Sequence, residues 1–305
     1  MLRVGYPATI AADLLHDFPT EIELIPLPDN LDHAVEIDVW IPNPYPTRAM
    51  RVWPHLRGVR LILSLMTGTE WIPGVAGPHV TICNAHGAHS ISTAEWTLGA
   101  ILTVLKYVPL YLDVQHSGVW KRRFEASAHY AKITGDTRPL YPPVMLEELT
   151  GRKVLLVGYG AIGKEIERML APFYVELVRV ARTSRSNPPI HAVSELDNLL
   201  PRAEIVILIL PSTPESYHLI GARQLSLMRQ GALLVNAARG PIVDTDALVE
   251  ALNACHIRAA LDVTDPEPLP EGHPLWNCPT CCSRLIWRDQ ARSLRRARSR
   301  PLPTN

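Results

Sequence analysis

The sequence predicts an α/β protein made of two doubly wound parallel-sheet domains, and three observations lead to this prediction. Short apolar segments alternate with helical segments along most of the chain, a pattern typical of parallel sheets covered by helices. A glycine-rich turn directly follows a fully apolar strand at residues 154–157. The chain has 305 residues, of which 47% are hydrophobic and 20% are charged, which indicates a globular protein of about two domains.

Charge and composition exclude several classes of protein. Basic and acidic residues number 30 each, so no overall field attracts nucleic acid or a membrane surface. No apolar stretch is long enough to span a bilayer and no export signal is present, so we expect a cytoplasmic protein. The five cysteines imply no disulfide framework. Cys278, Cys281 and Cys282 form one cluster where closed zinc sites usually have two, so no metal site is predicted.

Residues 1–92 are predicted to form the first domain. Its expected strands are short apolar segments separated by proline, glycine and polar residues, at residues 2–4, 21–27, 39–41, 61–64 and 80–84. Ser90 or Ser92 is expected to cap a long buried helix over residues 93–108, which joins the two domains. Residues 117–147 are polar, basic and proline-bearing, and we interpret them as a surface excursion.

Residues 93–279 are predicted to form the second domain, and residues 280–305 a basic tail without regular structure. After residues 154–157, the domain's strands are expected at residues 177–181, 205–210, 233–236 and 259–263. Helices are expected between them, at residues 164–170, 194–199, 222–227 and 245–254. Asp244 or Thr245 is the predicted cap of the last helix.

The glycine turn predicts a dinucleotide-binding site. Its sequence, GYGAIG, follows a strand and opens a helix, which makes the motif far more specific than the glycines alone. The first glycine makes the turn, the second lets the backbone approach a pyrophosphate, and the third packs the helix on the strand. The helix N-terminus then offers N–H groups to the phosphates. The predicted cofactor-binding residues of this turn are Gly158, Gly160, Ala161, Ile162 and Gly163.

Charged side chains are predicted where two later strands end. Arg239 follows one strand end, and a guanidinium group there can hold a carboxylate through two parallel N–H bonds. Asp262 and Glu267 follow the next strand, and a carboxylate so placed can orient a histidine, as in a catalytic triad. The alternatives are a surface arginine paired with an acid and a solvated loop carboxylate.

Four motifs in order resemble the D-isomer-specific 2-hydroxyacid dehydrogenases, a family with glyoxylate, hydroxypyruvate and phosphoglycerate members. They are GYGAIG (158–163), LPSTPESYHLI (210–220), VNAARGPIVD (235–244) and ALDVTDPEPLPEGHPLW (260–276). The resemblance covers residues 1 to about 279. It implies a flavodoxin-like substrate domain, a Rossmann NAD(P)-binding domain, and hydride transfer between a nicotinamide cofactor and a small 2-oxo or 2-hydroxy acid.

The resemblance also implies roles for individual residues. Arg239 would bind the substrate carboxylate and polarise its carbonyl, and Glu267 would support a histidine that protonates the developing alkoxide. A loop similar to the family's substrate loop implies substrate-binding roles for Met66, Thr67 and Gly68. The matched motifs add four cofactor-binding residues, namely Pro211, Thr213, Ala237 and Asp262. A homodimer formed through the joining helix is implied by analogy.

Cofactor preference is predicted from the end of the second strand of the nucleotide-binding domain. NAD-binding domains usually have an acidic residue there to hold the ribose hydroxyls. This chain has Ala181, followed by Arg182 and Thr183, so guanidinium groups are available for a 2′-phosphate. The sequence therefore predicts that NADP(H) is preferred over NAD(H).

The catalytic histidine of the family is absent. Family members follow the glutamate with a segment like PNVLLTPH-AG, whereas residues 279–287 read PTCCSRLIW. Residues 280–305 hold seven arginines and a single acidic residue, with no helical or strand-like period. We therefore predict impaired activity. The alternatives are a paralogue that binds cofactor without doing chemistry, and a non-catalytic NAD(P)-binding regulatory or corepressor-like protein that uses its basic tail.

We predict that this tail is the product of a one-base deletion near codon 280; the alternative is a genuine divergent tail. Residues 280–289 can be encoded as ACG TGC TGC TCA CGC CTC ATC TGG CGG GAT. Restoring one A before the first base makes the same bases read Asn-Val-Leu-Leu-Thr-Pro-His-Leu-Ala-Gly, which is the missing family segment. The histidine then falls at the position of Ile286, and out-of-frame reading accounts for the sudden arginines.

Overall fold

The computed structural model describes residues 1–11, 15, 18–66, 68–135, 147–278 and 281–282. The described residues divide into two compact units, residues 1–89 and the residues from 90 onward. Each unit contains a predominantly parallel sheet, which confirms the predicted α/β class.

The first unit is built on a five-stranded parallel sheet with the order β2-β1-β4-β6-β7, and β3 and β5 pair separately. The strands are β1 (Leu2–Pro7), β2 (Ile22–Leu27), β3 (Val35–Glu36), β4 (Val39–Trp40), β5 (Leu56–Arg57), β6 (Leu61–Ser64) and β7 (Thr81–Asn84). Two helices are described, α1 (Pro46–Val52) and α2 (Pro73–Ala76), with a 3-10 turn at Trp53–His55. Trp40 is the centre of the core, with ring centroids 5.3 Å from Trp53 and 6.4 Å from Trp71.

The second unit is built on an eight-stranded sheet with the order β10-β11-β9-β8-β12-β13-β14-β15. The strands are β8 (Lys153–Val157), β9 (Glu176–Ala181), β10 (Arg185–Ser186), β11 (Pro189–Ala192), β12 (Ile205–Leu208), β13 (Leu233–Asn236), β14 (Arg258–Leu261) and β15 (Cys281–Cys282). All neighbours are parallel except β10 and β11. β8 is central, and its apolar residues pack alternately into the cores on the two faces of the sheet.

Helices cover both faces of this sheet. They are α3 (Ser90–Leu105), α4 (Val108–Ser117), α5 (Glu125–Thr134), α6 (Ala161–Leu170), α7 (Leu196–Leu199), α8 (Ala222–Leu227) and α9 (Thr245–Asn253). The 3-10 turns are Trp120–Phe124, Ala171–Phe173, Val193–Glu195, Leu200–Arg202, Pro214–Ser216, Gly240–Ile242 and Pro274–Asn277. One face carries α3 and α6, whose buried residues share a core with Val154 and Leu156. The opposite core includes residues of α7, α8 and α9. Asp244 caps α9, accepting a hydrogen bond from the Ala247 backbone at 3.1 Å.

The region interpreted as a surface excursion is partly buried. Residues 125–134 form α5, in which Ile133 is fully buried, and Glu147 is 7% exposed. The joining helix predicted over residues 93–108 ends earlier than expected. Tyr107 adopts a left-handed conformation that separates α3 from α4. No single helix among the described residues is long and apolar enough to cross a membrane; α3 and α4 meet that test only as a pair bent by 59°.

Glu147 is the centre of a buried ionic cluster at the amino ends of the strands. The Arg258 guanidinium donates to both carboxylate oxygens, at 2.6 and 3.1 Å. The Tyr107 hydroxyl donates to the same carboxylate at 2.9 Å, and Arg152 donates at 3.0 Å. Burial alone would raise the pKa of Glu147, but the charge of Arg258 and the hydrogen bonds from Arg258 and Tyr107 outweigh it and lower that pKa.

The tail lies outside the described residues except for β15. Cys281–Cys282, expected to lack regular structure, pair in parallel with Ala259 and Ala260 of β14. β15 thereby extends the sheet at the edge next to the predicted site.

Candidate active site

The glycine turn joins β8 to α6 and can adopt its shape only with glycine at two positions. Gly158 has φ +108°, and a Cβ there would lie 2.4 Å from the backbone oxygen of Ile209. A Cβ on Gly163 would lie 2.6 Å from the Gly158 oxygen. These contacts press the turn against the end of β12 and the helix against the turn, as the sequence predicts.

The same turn leaves room for a ligand. A Cβ on Gly160 would meet nothing within 4 Å, so the space above this residue is open. Gly160 precedes α6, and no side chain caps the first turn of the helix at Ala161 and Ile162. An open glycine beside an uncapped helix N-terminus fits the pyrophosphate of a dinucleotide, because backbone N–H groups and the helix dipole both favour an anion.

Arg239 lies on a turn that a buried asparagine shapes. Asn236, the last residue of β13 and 1% exposed, accepts a hydrogen bond from the Ala238 backbone at 3.1 Å. Its amide donates to the Arg239 oxygen at 3.0 Å. The chain then passes very close to the segment after β14, because a Cβ on Gly240 would lie 1.9 Å from the Thr264 oxygen. This contact brings Arg239 beside the acidic residues of that segment.

Arg239, Asp262 and Glu267 interact electrostatically at the carboxyl ends of β13 and β14. Asp262 is 6% exposed and Arg239 is half-buried, whereas Glu267 keeps contact with solvent. Desolvation raises the pKa of the Glu267 carboxyl; the Arg239 guanidinium opposes this rise and the Asp262 carboxylate adds to it. The arrangement places a cation that can bind a carboxylate next to an acid with a perturbed pKa, a combination typical of active sites.

The loop from residue 210 to 218 presents Pro211 and Thr213 at the surface. Ser216 holds it, accepting from the Thr213 backbone at 2.8 Å and donating to the Pro211 oxygen at 2.9 Å. A hydrogen bond from the Thr213 side chain is the main cause that lowers the pKa of Glu215, and Arg182 contributes through its charge. Arg182 is therefore near an acidic side chain, which can compete with a 2′-phosphate for its guanidinium group.

Three further residues lie after the ends of β13, β9 and β14. Ala237 is buried directly after β13, and its backbone N–H donates to the Leu208 oxygen at 3.2 Å. Thr183 is exposed, two residues beyond the end of β9. His273, the histidine nearest to Glu267 in sequence, accepts from the Leu275 backbone at 3.2 Å and so caps a 3-10 turn.

The predicted substrate loop belongs to the first unit. Ser64, at the end of β6 and 4% exposed, accepts from the Met66 backbone at 3.1 Å and donates to the Met66 oxygen at 3.2 Å. His89 contacts the Leu65 oxygen at 3.0 Å. Met66 and Gly68 are half-buried in this loop, and Thr67 lies outside the described residues.

Two features of the second unit were not predicted. Asn236 shapes the turn before Arg239, and its signal in the sequence is a lone polar residue at the end of an apolar strand. Tyr159, inside the glycine turn, hydrogen-bonds to Glu167, which pairs with Arg179. Residues 167 and 179 fall on different elements, so no local pattern in the sequence connects them.

Comparison with known proteins identifies the family. Residues 98–283, more than half of the chain, match the model of the "D-isomer specific 2-hydroxyacid dehydrogenase, NAD binding domain". The chain therefore belongs to the D-isomer specific 2-hydroxyacid dehydrogenase family, as the motifs indicated, and residues in this span form its NAD-binding domain. The match extends four residues beyond residue 279, where the resemblance was expected to end, and it includes β15.

The chain is also similar to individual proteins along most of its length. The chain is 34% identical to a glyoxylate reductase of Thermofilum pendens over 67% of this chain and 57% of the relative. It is 31% identical to an uncharacterized protein in the proB 3′ region of Corynebacterium melassecola, covering 72% of this chain and 68% of the relative. The crystal structure of the TT0316 protein from Thermus thermophilus has 30% identity and a TM-score of 0.70, covering 92% of this chain and 88% of that chain.

Proposed function

We propose that this chain is an NAD(P)-dependent oxidoreductase that interconverts a small 2-oxo acid and the corresponding 2-hydroxy acid. The observation that carries the proposal is the electrostatic contact of Arg239, Asp262 and Glu267 at the strand ends. These ends lie at the same edge of the sheet as the glycine turn, which is where open α/β sheets bind ligands.

Each residue has a distinct task in this proposal. Arg239 holds the substrate carboxylate through two parallel N–H bonds and polarises the adjacent carbonyl. Glu267 supports the group that exchanges a proton with the substrate oxygen. The nicotinamide ring, when bound, supplies or accepts the hydride. Met66, Thr67 and Gly68 contact the substrate, and Pro211, Thr213, Ala237 and Asp262 contact the cofactor.

Turnover in this chain is proposed to be weak. No histidine occurs between residues 279 and 305, so Glu267 has no histidine there to support. Loss of a positioned acid–base group typically costs about 10²–10⁴-fold in rate. The direct test is oxidation of NADPH and NADH by the purified protein with glyoxylate or hydroxypyruvate. Complete absence of substrate-dependent oxidation, even at high enzyme concentration, would contradict the enzymatic proposal.

NADP(H) is proposed to be the preferred cofactor, with Arg182 and Thr183 holding the 2′-phosphate. One charge-assisted contact contributes about 1.5–3 kcal/mol, so NADPH should bind roughly tenfold or more tightly than NADH. Titration of both cofactors tests this, and Arg182→Ala should abolish the difference. Glu215, near Arg182, competes for the same guanidinium, and Glu215→Gln should therefore increase NADPH affinity. Equal affinities in the wild type would contradict the preference.

A cytoplasmic homodimer is proposed. Its interface was expected on the joining helix, but α3 carries no large exposed apolar side chain, so we propose α4 and the turn that follows it as the interface instead. Large apolar side chains are exposed along this segment, with Trp120 at 74%, and the others are Val108, Leu112, Val119 and Phe124. Exposed apolar surface of this kind marks interaction sites. Sedimentation should give a dimer that Trp120→Ser weakens, whereas Tyr174→Ser, at a tyrosine that is 81% exposed outside this segment, should leave it intact.

A second candidate is a non-catalytic NAD(P)-binding regulator or corepressor-like protein. The seven arginines within residues 280–305 favour it, because clustered arginines bind polyanions. It predicts salt-dependent binding of duplex DNA that disappears when residues 280–305 are removed. DNA binding together with no turnover would support this candidate over the enzyme.

A further inference from the structure

Tyr159 connects the glycine turn to two neighbouring elements. It stands between Gly158 and Gly160, and its hydroxyl donates to Glu167 Oε2 of α6 at 2.5 Å. The same carboxylate accepts from Arg179 Nε of β9 at 2.9 Å and from a terminal nitrogen of that guanidinium. The guanidinium carbon also lies 5.7 Å from the centroid of the Tyr159 ring. We call Tyr159, Glu167 and Arg179 the turn clamp.

The ion pair in the turn clamp is expected to be stronger than an ordinary surface ion pair. Arg179 and Glu167 have side chains that are 19% and 29% exposed, and the guanidinium engages the carboxylate as a two-pronged fork. Hydrogen bonds from Arg179 are the main cause that lowers the pKa of Glu167, so this group is ionised at neutral pH. A charged acceptor strengthens the hydrogen bond from Tyr159.

The backbone around Tyr159 is intrinsically flexible, so contacts of the Tyr159 side chain can help to order it. Glycine flanks the residue on both sides, and glycine loses more conformational freedom on ordering than any other residue. Gly158 is held by packing against Ile209, whereas a Cβ on Gly160 would meet nothing within 4 Å. Tyr159 carries the one side chain in this Gly-Tyr-Gly segment, and the turn clamp fixes its far end. A segment ordered before the ligand arrives binds it more tightly.

We propose that Tyr159, Glu167 and Arg179 act as positioning residues that preorganise the glycine turn for the diphosphate of the cofactor. The inference rests on the proposed cofactor site and extends it to three residues outside the predicted cofactor-binding set. It follows that the turn clamp controls affinity for phosphate-bearing ligands. It leaves the rate of the chemical step unchanged once cofactor is saturating.

The test compares Tyr159→Phe with Tyr174→Phe, because Tyr174 is 81% exposed and lies outside the site. Removing a hydrogen bond to a charged group should weaken NADH and ADP binding about tenfold in Tyr159→Phe. Adenosine, which carries no phosphate, should bind both variants and the wild type equally. Residual kcat at saturating cofactor should be unchanged, whereas the KM for cofactor should rise.

Other outcomes separate the possible failures. A wild type that binds neither NADH nor NADPH would overturn the cofactor site itself. A wild type that binds NADH, with unchanged affinity in Tyr159→Phe, would overturn the turn clamp alone. If Tyr159→Phe lost affinity for adenosine as well as for NADH, Tyr159 would have a merely structural role. A lowered melting temperature with unchanged NADH affinity would mean the same, and either result would overturn the proposal for the turn clamp. Glu167→Gln provides a second variant and should reproduce the loss for NADH and ADP if Tyr159→Phe does not fold.

Discussion

At the residue scale, the chemistry of the candidate site depends on the charge state of Glu267. Desolvation raises the pKa of this carboxyl, and Arg239 only partly offsets the rise. A carboxyl of this kind exchanges its proton closer to neutral pH than an ordinary surface acid, which suits a group that assists proton transfer. The same environment links its ionisation to stability.

We expect Glu267→Gln to change the pH dependence of stability in a defined direction. A raised pKa in the folded state means that ionisation opposes folding. The wild type should therefore lose stability relative to the variant as pH rises from the ordinary glutamate pKa through the raised one. Below the ordinary value the two proteins should unfold alike. Melting temperatures from pH 3 to about pH 8 check this, with Glu271→Gln as a control in the same loop. A variant curve parallel to the wild type over this range would contradict the prediction.

Arg239→Lys should impair use of the substrate far more than binding of the cofactor. Lysine keeps the charge but lacks the planar fork, so one of two parallel N–H bonds is lost, at a cost of about 1.5–3 kcal/mol. Residual kcat/KM for glyoxylate should fall roughly tenfold or more, while the Kd for NADPH stays within about twofold. Arg223→Lys is the matched control, because that side chain is 73% exposed and pairs with Asp197. An unchanged kcat/KM would refute the role of Arg239.

At the element scale, the buried cluster of Glu147 and Arg258 joins parts of the chain that are distant in sequence. The two residues are 7% and 4% exposed. Tyr107, at the bend between α3 and α4, donates to the same carboxylate. The cluster therefore ties the bend, the residues before β8 and the start of β14 together at the edge opposite the candidate site.

Glu147→Gln should be strongly destabilising, because it leaves the Arg258 guanidinium buried without an opposite charge. Breaking a buried ion pair from one side costs about 3–5 kcal/mol in free energy of unfolding. Glu125→Gln is the matched control, because it breaks a pair with Arg122 in which the two side chains are 50% and 39% exposed, and a solvent-exposed pair contributes far less to stability. Denaturant unfolding measures both. An equal loss in free energy of unfolding for the two variants would show that the buried cluster does not stabilise the fold more than a surface ion pair.

At the scale of the whole molecule, the last strand of the sheet in the second unit falls within the family match. The residues that follow this strand do not resemble the family's sequence. β15 pairs with β14, and the family match reaches residue 283. We propose a change of reading frame near codon 280 as the cause of this abrupt end, because the restored frame would continue the strand as Val-Leu-Leu and then supply a histidine. The strand runs toward the edge that holds Arg239 and Glu267.

Restoring one adenine before codon 280 should therefore raise activity. The new chain regains an acid–base histidine beyond β15, so the rate with glyoxylate and NADPH should rise by about 10²–10⁴-fold. The control is the restored chain with that histidine changed to alanine, which should fall back to the level of the present chain. Full activity of the present chain, with its reading frame confirmed by resequencing, would contradict both the deletion and the need for the histidine.

The sequence by itself determined the features that depend on local pattern. Apolar runs defined most strands to within two residues, the cap of α9 was readable from Asp244, and the spacing of the glycines identified the turn and its family. Charged residues at strand ends could be placed at one edge of the sheet, because parallel strands share a direction.

Only the tertiary structure decided the features that depend on contacts across elements. The helix over residues 125–134 was missed because it lies in a stretch whose polar, basic and proline residues indicated a surface excursion. Ile133 and Glu147 are nevertheless buried, and the Glu147 carboxylate pairs with Arg258 of a distant strand. The raised pKa of Glu267 and the turn clamp likewise require groups from separate elements to meet. The physical reason is that burial and charge pairing are set by neighbours in space, which a one-dimensional pattern does not contain.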